Sequence, residues 1–512
     1  MYHNFHIMYK RTLLAVLAGA ALLTACDKNK EEEIIPVSFS SFGFYAQNNA
    51  DALKSDYIEE NITSDAISFT LPYGTDPEVV KSLVPTFTVT EGASVNKADE
   101  SGAPDGVEIV SGETSVDFSS DVQLIVFLKN NYKAYTVSVK IAEPAKWSKA
   151  AESSLVMKSE PVLTVSPADG TPYLAGSSVN ADGVAEPHLL KLDGAELKDV
   201  AGALANVESK YFALDFSTSG TPYVSFFDGS LKKQSVMKVD GSTASYVGQA
   251  GDLYKTGGSS NSSVAVFPIS DNNVWCAQYN DAATDLVKRR ALNLALFNGS
   301  TWTNGITING RGAADYAYCV LGKQFGGLPY LFIYNQNTQS ISLYRYGSDA
   351  WETIFESLKI KQADGTADAT LNLRALDFDI ASDGSIYVMA GGDYSVAKLY
   401  NIAVVRISAK DGSQQIVGGE TSINIDDCRS ASFGLDANDV PYLVYTRLEG
   451  EERYACITKI DSKTKTWAEG EKLSSVPSSS VVLRFAENGK GYVASIEETA
   501  AGKKYILYST AE

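Results

Sequence analysis

From Pro36 to the C-terminus, apolar residues alternate with polar ones in short runs broken by Gly, Asp, Asn and Ser. Alternation over runs of about 4–8 residues marks half-buried strands. No stretch of useful length carries the 3.6-residue period of an amphipathic helix, so an all-β chain is expected. One phrase recurs: Ser382–Ala390 reads SDGSIYVMA, a turn followed by an aromatic that leads an apolar run. Variants begin at Thr171, Thr221, Asn273, Leu328, Val440 and Lys490.

Aligned on their aromatics (Tyr173, Tyr223, Trp275, Tyr330, Tyr387, Tyr442 and Tyr492), the phrases lie 50, 52, 55, 57, 55 and 50 residues apart. Strand-only repeats with a period of about 40–50 residues indicate propeller blades, each a four-stranded sheet. Each repeat supplies an apolar strand before the aromatic, such as Phe212–Phe216, Ala375–Ile380 or Ala431–Leu435. A third strand follows, at Leu189, Ser235, Asn293, Ser342, Ala403 and Cys456. Tight turns then come at Asp193-Gly194, Asp240-Gly241, Asn298-Gly299 and Asp411-Gly412, where Gly supplies the positive φ of a hairpin. The fourth strand often opens on Trp: Trp302, Trp351, Trp467. The last repeat ends without a fourth strand, whereas an unassigned strand starts at Trp147. An open ring would leave bare sheet edges, so the Trp147 strand is expected to close the last blade. Residues 147–512 thus predict a seven-bladed β-propeller, or six blades if the weak third repeat merges with a neighbour.

Residues 36–143 carry the same alternation without the repeat. The clearest runs are ISFTLPYG, FTVTEGASV, VDFSS, VQLIVFLKN and AYTVSVKIA. Several strands in about 110 residues suit an Ig-like β-sandwich, although the Cys…Trp…Cys signature of antibody domains is absent. Leu71-Pro72, Gly74-Thr75-Asp76, Leu83-Val84-Pro85-Thr86-Phe87, Gly92-Ala93, Asp117-Phe118 and Tyr135-Thr136-Val137 resemble the N-terminal Ig-like modules of Sus-like surface lipoproteins. That resemblance covers about a fifth of the chain and implies a spacer between a membrane anchor and a distal binding domain.

The first 25 residues read differently. Lys10 and Arg11 precede the apolar run 12–23, which ends in Leu23-Thr24-Ala25-Cys26. A basic segment, a short apolar segment and small residues make a secretory signal, too short for the about 20 residues of a spanning helix. The Leu-Thr-Ala-Cys end resembles the lipobox of bacterial lipoproteins, which implies cleavage before Cys26 and lipidation of its thiol. Residues 26–35 then form an acidic tether. Within it, DKNKEEE (27–33) resembles the export signal of outward-facing lipoproteins in glycan-degrading gut bacteria, implying an outer-membrane, extracellular location.

Composition narrows the chemistry. The net charge is -19 and no basic patch occurs, which argues against nucleic acid as a partner. Beyond His3 and His6 the only histidine is His188, in a strand-like run where packing is the expected role. Multi-His metal sites and Ser–His–Asp triads need more, and no cofactor is called for. Cys276, Cys319, Cys428 and Cys456 have no CxxC spacing, so a zinc site is not expected and any disulfide pairing is open.

Thirteen residues before each aromatic lie Glu160, Lys210, Ser262, Ala317, Arg374, Arg429 and Ser479. This column falls where innermost strands should begin, and so should ring one mouth of the central channel. Tyr316, Asp426 and Asp427 adjoin it. The candidate ligand-binding residues are therefore Glu160, Lys210, Tyr316, Arg374, Asp427 and Arg429, with Arg for bidentate contacts and Tyr for stacking on a sugar face. A channel mouth is also polar simply because it is wet. Exposed insertions at 279–290 and 391–394, with Tyr400, are further candidates. A glycosidase needs two carboxylates across a bound sugar, which Glu160, Asp315, Asp426 and Asp427 could provide. The sialidase box is absent, however, and only two of the three arginines of that family have counterparts, Arg374 and Arg429. The overall plan resembles the accessory binding lipoproteins of Sus-like uptake systems. That implies non-enzymatic capture of an extracellular glycan for an outer-membrane transporter. The alternatives are a glycoside hydrolase and a protein-docking platform.

Overall fold

The computed structural model describes residues 36–511, apart from 51, 254–263, 281–290, 309–316, 336–337, 362–370, 393–400, 420–422 and 425–427. The side chains of 279–280, 291, 317–318, 372–375, 401 and 423–424 also lie outside the described residues. The chain is all-β. Among the described residues the only α-helix is the four-residue turn Pro77–Val80, and no helix is long and apolar enough to cross a membrane.

The first part has two sheets. One orders Tyr57–Glu60, Phe39–Phe44 and Thr86–Val89; the other orders Ala66–Leu71, Asn131–Ile141, Val122–Leu128, Ser94–Ala98 and Pro104–Glu108. Ala66–Leu71 pairs in parallel with the long strand 131–141. Between the sheets lies one core containing Phe39, Phe42, Phe44, Leu71, Leu83, Phe118, Leu124, Tyr135 and Val137. The run FTVTEGASV, read as one strand, divides at Glu91–Ala93 between the two sheets, because a turn separates its two apolar ends. VDFSS forms no strand; only Val116 bridges, to Leu83.

From Trp147 onward the strands sort into four-stranded groups. Sheet I comprises Val162–Val165, Pro172–Val179, Ala185–Asp193 and Glu196–Asp199. Sheet II comprises Ser209–Phe216, Pro222–Asp228, Lys233–Asp240 and Thr243–Tyr246. Sheet III comprises Val264–Ser270, Asn273–Asn280, Ala291–Phe297 and Trp302–Ile306, so the weak third repeat stands as a sheet of its own. Sheet IV comprises Ala317–Phe325, Leu328–Asn335, Ser340–Gly347 and Ala350–Leu358. Sheet V has Asn372–Ile380, Ile386–Gly392, Asn401–Ile407 and Gln414–Ile416, with Ile423–Asn424 also pairing to its third strand. Sheet VI has Ala431–Leu435, Pro441–Glu449, Glu452–Lys459 and Glu471–Lys472. Sheet VII has Ser478–Phe485, Gly491–Thr499 and Gly502–Thr510, completed by Trp147–Ser153 antiparallel to the last strand. A short parallel bridge, Glu196 to Glu152 and Leu197 to Ser153, then joins sheet VII to sheet I.

The packing is propeller-like. The innermost strands of successive sheets touch in order from I to VII, and the strand at Val162 touches the strand at Ser478. A separate hydrophobic cluster fills each junction between neighbouring sheets, including the one between VII and I. Period-two strands buried on both faces explain this, since each sheet turns alternate side chains to its two neighbours. Of the aligned aromatics, Tyr223, Trp275, Tyr442 and Tyr492 are buried and the other three half-buried.

Turn chemistry follows the sequence at two of the four expected hairpins. Those at Asn298-Gly299 and Asp411-Gly412 are longer loops, closed by the pairs Phe297–Trp302 and Ile407–Gln414. The two-residue ones are Gly194-Ala195 and Gly241-Ser242, bounded by the pairs Asp193–Glu196 and Asp240–Thr243. Only the Gly has positive φ, which is the pattern of a turn with Gly at its first central position. Trp302 and Ala350-Trp351 open fourth strands, but Trp467 precedes its strand and forms an isolated bridge to Ile460. Its role is to reach the preceding sheet: Trp467 Nε1 donates to Val417 O at 3.1 Å, as Trp302 Nε1 does to Val247 O at 2.7 Å.

The first part docks on sheet VI. Lys54 pairs with Asp439 and donates to Asn438 O at 2.7 Å, and Lys465 pairs with Asp76 at 3.3 Å. Tyr73 OH reaches Ile460 O at 3.4 Å, and Tyr73 packs against the cluster holding Val440. Asn438 and Asp439 follow an innermost strand, and Ile460 and Lys465 follow the third strand, which runs the same way, so these contacts lie at the opposite end from where innermost strands begin.

Candidate functional site

The innermost strands enclose a cavity of about 1170 Å³ along the ring's axis, lined from every sheet. Four column residues lie on it: Glu160, Lys210, Arg429 and Ser479. Glu160, Arg429 and Ser479 are exposed and Lys210 half-buried. Each sits at or just before the start of its innermost strand, so the register read from the aromatics brings them to one end of the channel. The local backbone is pinned. Thr446 Oγ1 accepts from Arg429 N at 3.1 Å, and Tyr505 OH donates to Ser159 O, beside Glu160, at 2.9 Å. Arg374 belongs to strand 372–380, with its side chain outside the described residues. Tyr316, Asp427, Asp315, Asp426, Ser262, Tyr400 and Cys26 lie wholly outside them, as do residues 281–290 and 393–394 of the two insertions.

Two features of the cavity were not read from the sequence. The first is Tyr211, next to Lys210. The second is a polar layer deeper in the channel. Asp215, Asp379 and Arg484 each pair across the strand with an aligned aromatic, Tyr223, Tyr387 and Tyr492. Their signal was present as charges inside otherwise apolar strands: FALDF, LDFDI, VVLRF.

That layer ties the ring across its axis. Asp377 pairs with Lys323 at 2.8 Å and with Arg484 at 3.6 Å. It also accepts from Ser432 Oγ at 2.8 Å and Phe433 N at 3.1 Å. Gln324 of sheet IV donates to Asp215 of sheet II at 2.7 Å, reaching past sheet III. Burial by itself raises the Asp377 carboxyl, but Lys323 and Arg484 outweigh it and hold it below the usual carboxylate range. Burial dominates at Asp379 and raises it. Asp215 has no cation to offset burial and is pushed up to about 7, although Gln324 and Phe216 N donate to it.

His188 is buried in its strand and bonds Asp199 Oδ2 at 2.8 Å, a packing role. Cys276, Cys319, Cys428 and Cys456 are buried free thiols, and burial pushes Cys276 up to about 12. Among the described residues no cluster of three His, Cys, Asp or Glu could hold a metal ion.

Residues 55–139 match the family model described as SGBP, N-terminal. No curated protein matches the chain. Among solved structures, the chain is similar to a lectin from Aleuria aurantia in complex with alpha-methyl-L-fucoside. That likeness has 13% identity and a TM-score of 0.37, and covers 65% of this chain and 98% of the lectin. The SapL1 lectin, in complex with alpha methyl fucoside, is similar at 12% identity and a TM-score of 0.38, over 62% and 98%. An alpha-L-arabinofuranosidase from Fusarium graminearum is similar at 10% identity and a TM-score of 0.37, over 60% and 94%. With TM-scores and identities this low, these likenesses carry no weight for ligand or reaction.

Proposed function

We propose that this protein is a cell-surface glycan-binding lipoprotein of a Sus-like uptake system. Its parts are a lipid anchor at Cys26, an acidic tether, an Ig-like spacer over 36–143 and a seven-bladed β-propeller over 147–512. It holds an extracellular glycan non-covalently at the channel mouth carrying Glu160, Lys210 and Arg429, with Tyr316, Arg374 and Asp427 as further contacts. Captured glycan then passes to a neighbouring outer-membrane transporter.

The observation that carries this reading is the match of residues 55–139 to the N-terminal model of a glycan-binding family. The docking geometry supports it. Lys54, just before the matched segment, meets the turn Asn438–Asp439 after an innermost strand. Asp76, within that segment, meets Lys465 in the turn after the third strand, which runs the same way. Glu160, Lys210, Arg429 and Ser479 are therefore left at the other end of the channel. On a chain anchored at its N-terminus, that end points away from the membrane. A preformed cavity with a few charged and aromatic groups is the usual form of a small-ligand site.

The test is affinity electrophoresis of soluble residues 29–512 against a glycan panel, with analysis of released sugars. Binding without product is expected, lost in the double variant Arg374→Ala, Arg429→Ala. Release of sugar would replace capture by hydrolysis. Unchanged binding in the double variant would move the site elsewhere. A co-purifying envelope protein with no glycan ligand would favour docking.

A further inference from the structure

Tyr211 stands out on the cavity wall. It is a non-glycine residue at φ +57 inside the strand Ser209–Phe216. The left-handed region is rare for an aromatic, and where it persists the surroundings must enforce it. The strand slips by one residue here, since Lys210 faces Phe227 whereas Ala213 faces Ser225. Such a bulge re-aims a side chain. Buried Gln234 fixes it, its Nε2 donating to Tyr211 O at 3.2 Å and to Ser225 Oγ at 2.8 Å.

The bulge builds a small cradle. The Lys210 ammonium lies 4.9 Å from the Tyr211 ring centroid and 5.3 Å from that of Phe227, and the two rings meet edge-on at 6.0 Å. Among the described residues Lys210 makes no ion pair. An ammonium set against two aromatic faces has lost part of its water without gaining a counter-charge, and such a group favours an anion. Lys210 and Tyr211 both line the channel cavity, as does Arg429, a second cation.

We infer that Lys210 and Tyr211 form a subsite for an acidic sugar, a uronate residue of a glycan. The apolar face of the pyranose stacks on Tyr211 and its carboxylate pairs with Lys210. This rests on the glycan-binding reading and names the ligand class and the residues for it.

The probes are polygalacturonate and hyaluronan, with uncharged galactan as control, in affinity electrophoresis of soluble residues 29–512. At least one acidic polymer should retard the protein more than galactan does. Lys210→Met keeps the apolar stem and should weaken acidic binding roughly tenfold or more, removing the preference. Tyr211→Asn tolerates positive φ, so the bulge should persist, with an unchanged near-ultraviolet circular dichroism spectrum, while acidic binding is lost. Binding of galactan alone, or acidic binding indifferent to both substitutions, would overturn this subsite and leave the glycan reading intact. A folded protein that binds no glycan of any class would overturn both.

Discussion

Replacing Asp377 by Ala tests whether the polar layer in the channel holds the ring together. Its side chain is 8% exposed and that of Lys323 is 9% exposed, with 2.8 Å between charged atoms. At an effective dielectric of about 20, unit charges at that distance attract by roughly 6 kcal/mol. In the wild-type protein the desolvation of both ions offsets much of this. In Asp377→Ala the desolvation of Lys323 remains and the attraction does not. Ser432 Oγ and Phe433 N lose their acceptor as well. Breaking a buried pair from one side costs about 3–5 kcal/mol, and that loss is expected in urea unfolding followed by tryptophan fluorescence. Asp377→Leu combined with Lys323→Met removes both charges and should recover most of the loss. The carboxyl is held below its ordinary value, so its contribution stands above about pH 4 and disappears as the pH falls through the folded-state value. A single-variant loss below about 1 kcal/mol, or a double variant no better than the single, would refute this account.

Asp215 should act with the opposite sign. Its carboxyl is pushed up to about 7, so its contribution is intact below about pH 4 and is lost as the pH rises through 7. Asp215→Asn should therefore match the wild type near pH 4 and exceed it by up to roughly 4 kcal/mol at pH 8, less where channel water reaches the group. Parallel urea midpoints from pH 4 to 8 would contradict that. Trp467→Phe removes the bond to Val417 O and should cost about 1 kcal/mol, while the smaller ring relieves nothing. Gly418→Ala, whose Cβ would come 2.4 Å from Trp467 Cδ1 at a φ of +89, should cost at least as much in the same unfolding assay.

Much of the fold was legible in the sequence because its determinants are local. Period-two alternation fixes strands, Gly fixes hairpins, and the recurring aromatic sets the register of each sheet. That register carried Glu160, Lys210 and Arg429 to one end of one cavity, and the strand at Trp147 to the open edge of sheet VII. Failures came where locality fails. FTVTEGASV looks continuous although its halves belong to different sheets, and Trp467 resembles a strand opener although its indole serves the neighbouring sheet.

What the sequence determined by itself is the repeating unit, its period and the polar column, since each depends on residues close in the chain. What only the tertiary structure decided is which distant residues share the axis. Asp377 meets Lys323 and Arg484 from separate sheets, and Gln324 meets Asp215 more than a hundred residues away. The left-handed turn at Tyr211 was equally hidden, because a bulge arises from how two strands slip against each other and leaves no mark in the spacing of either one.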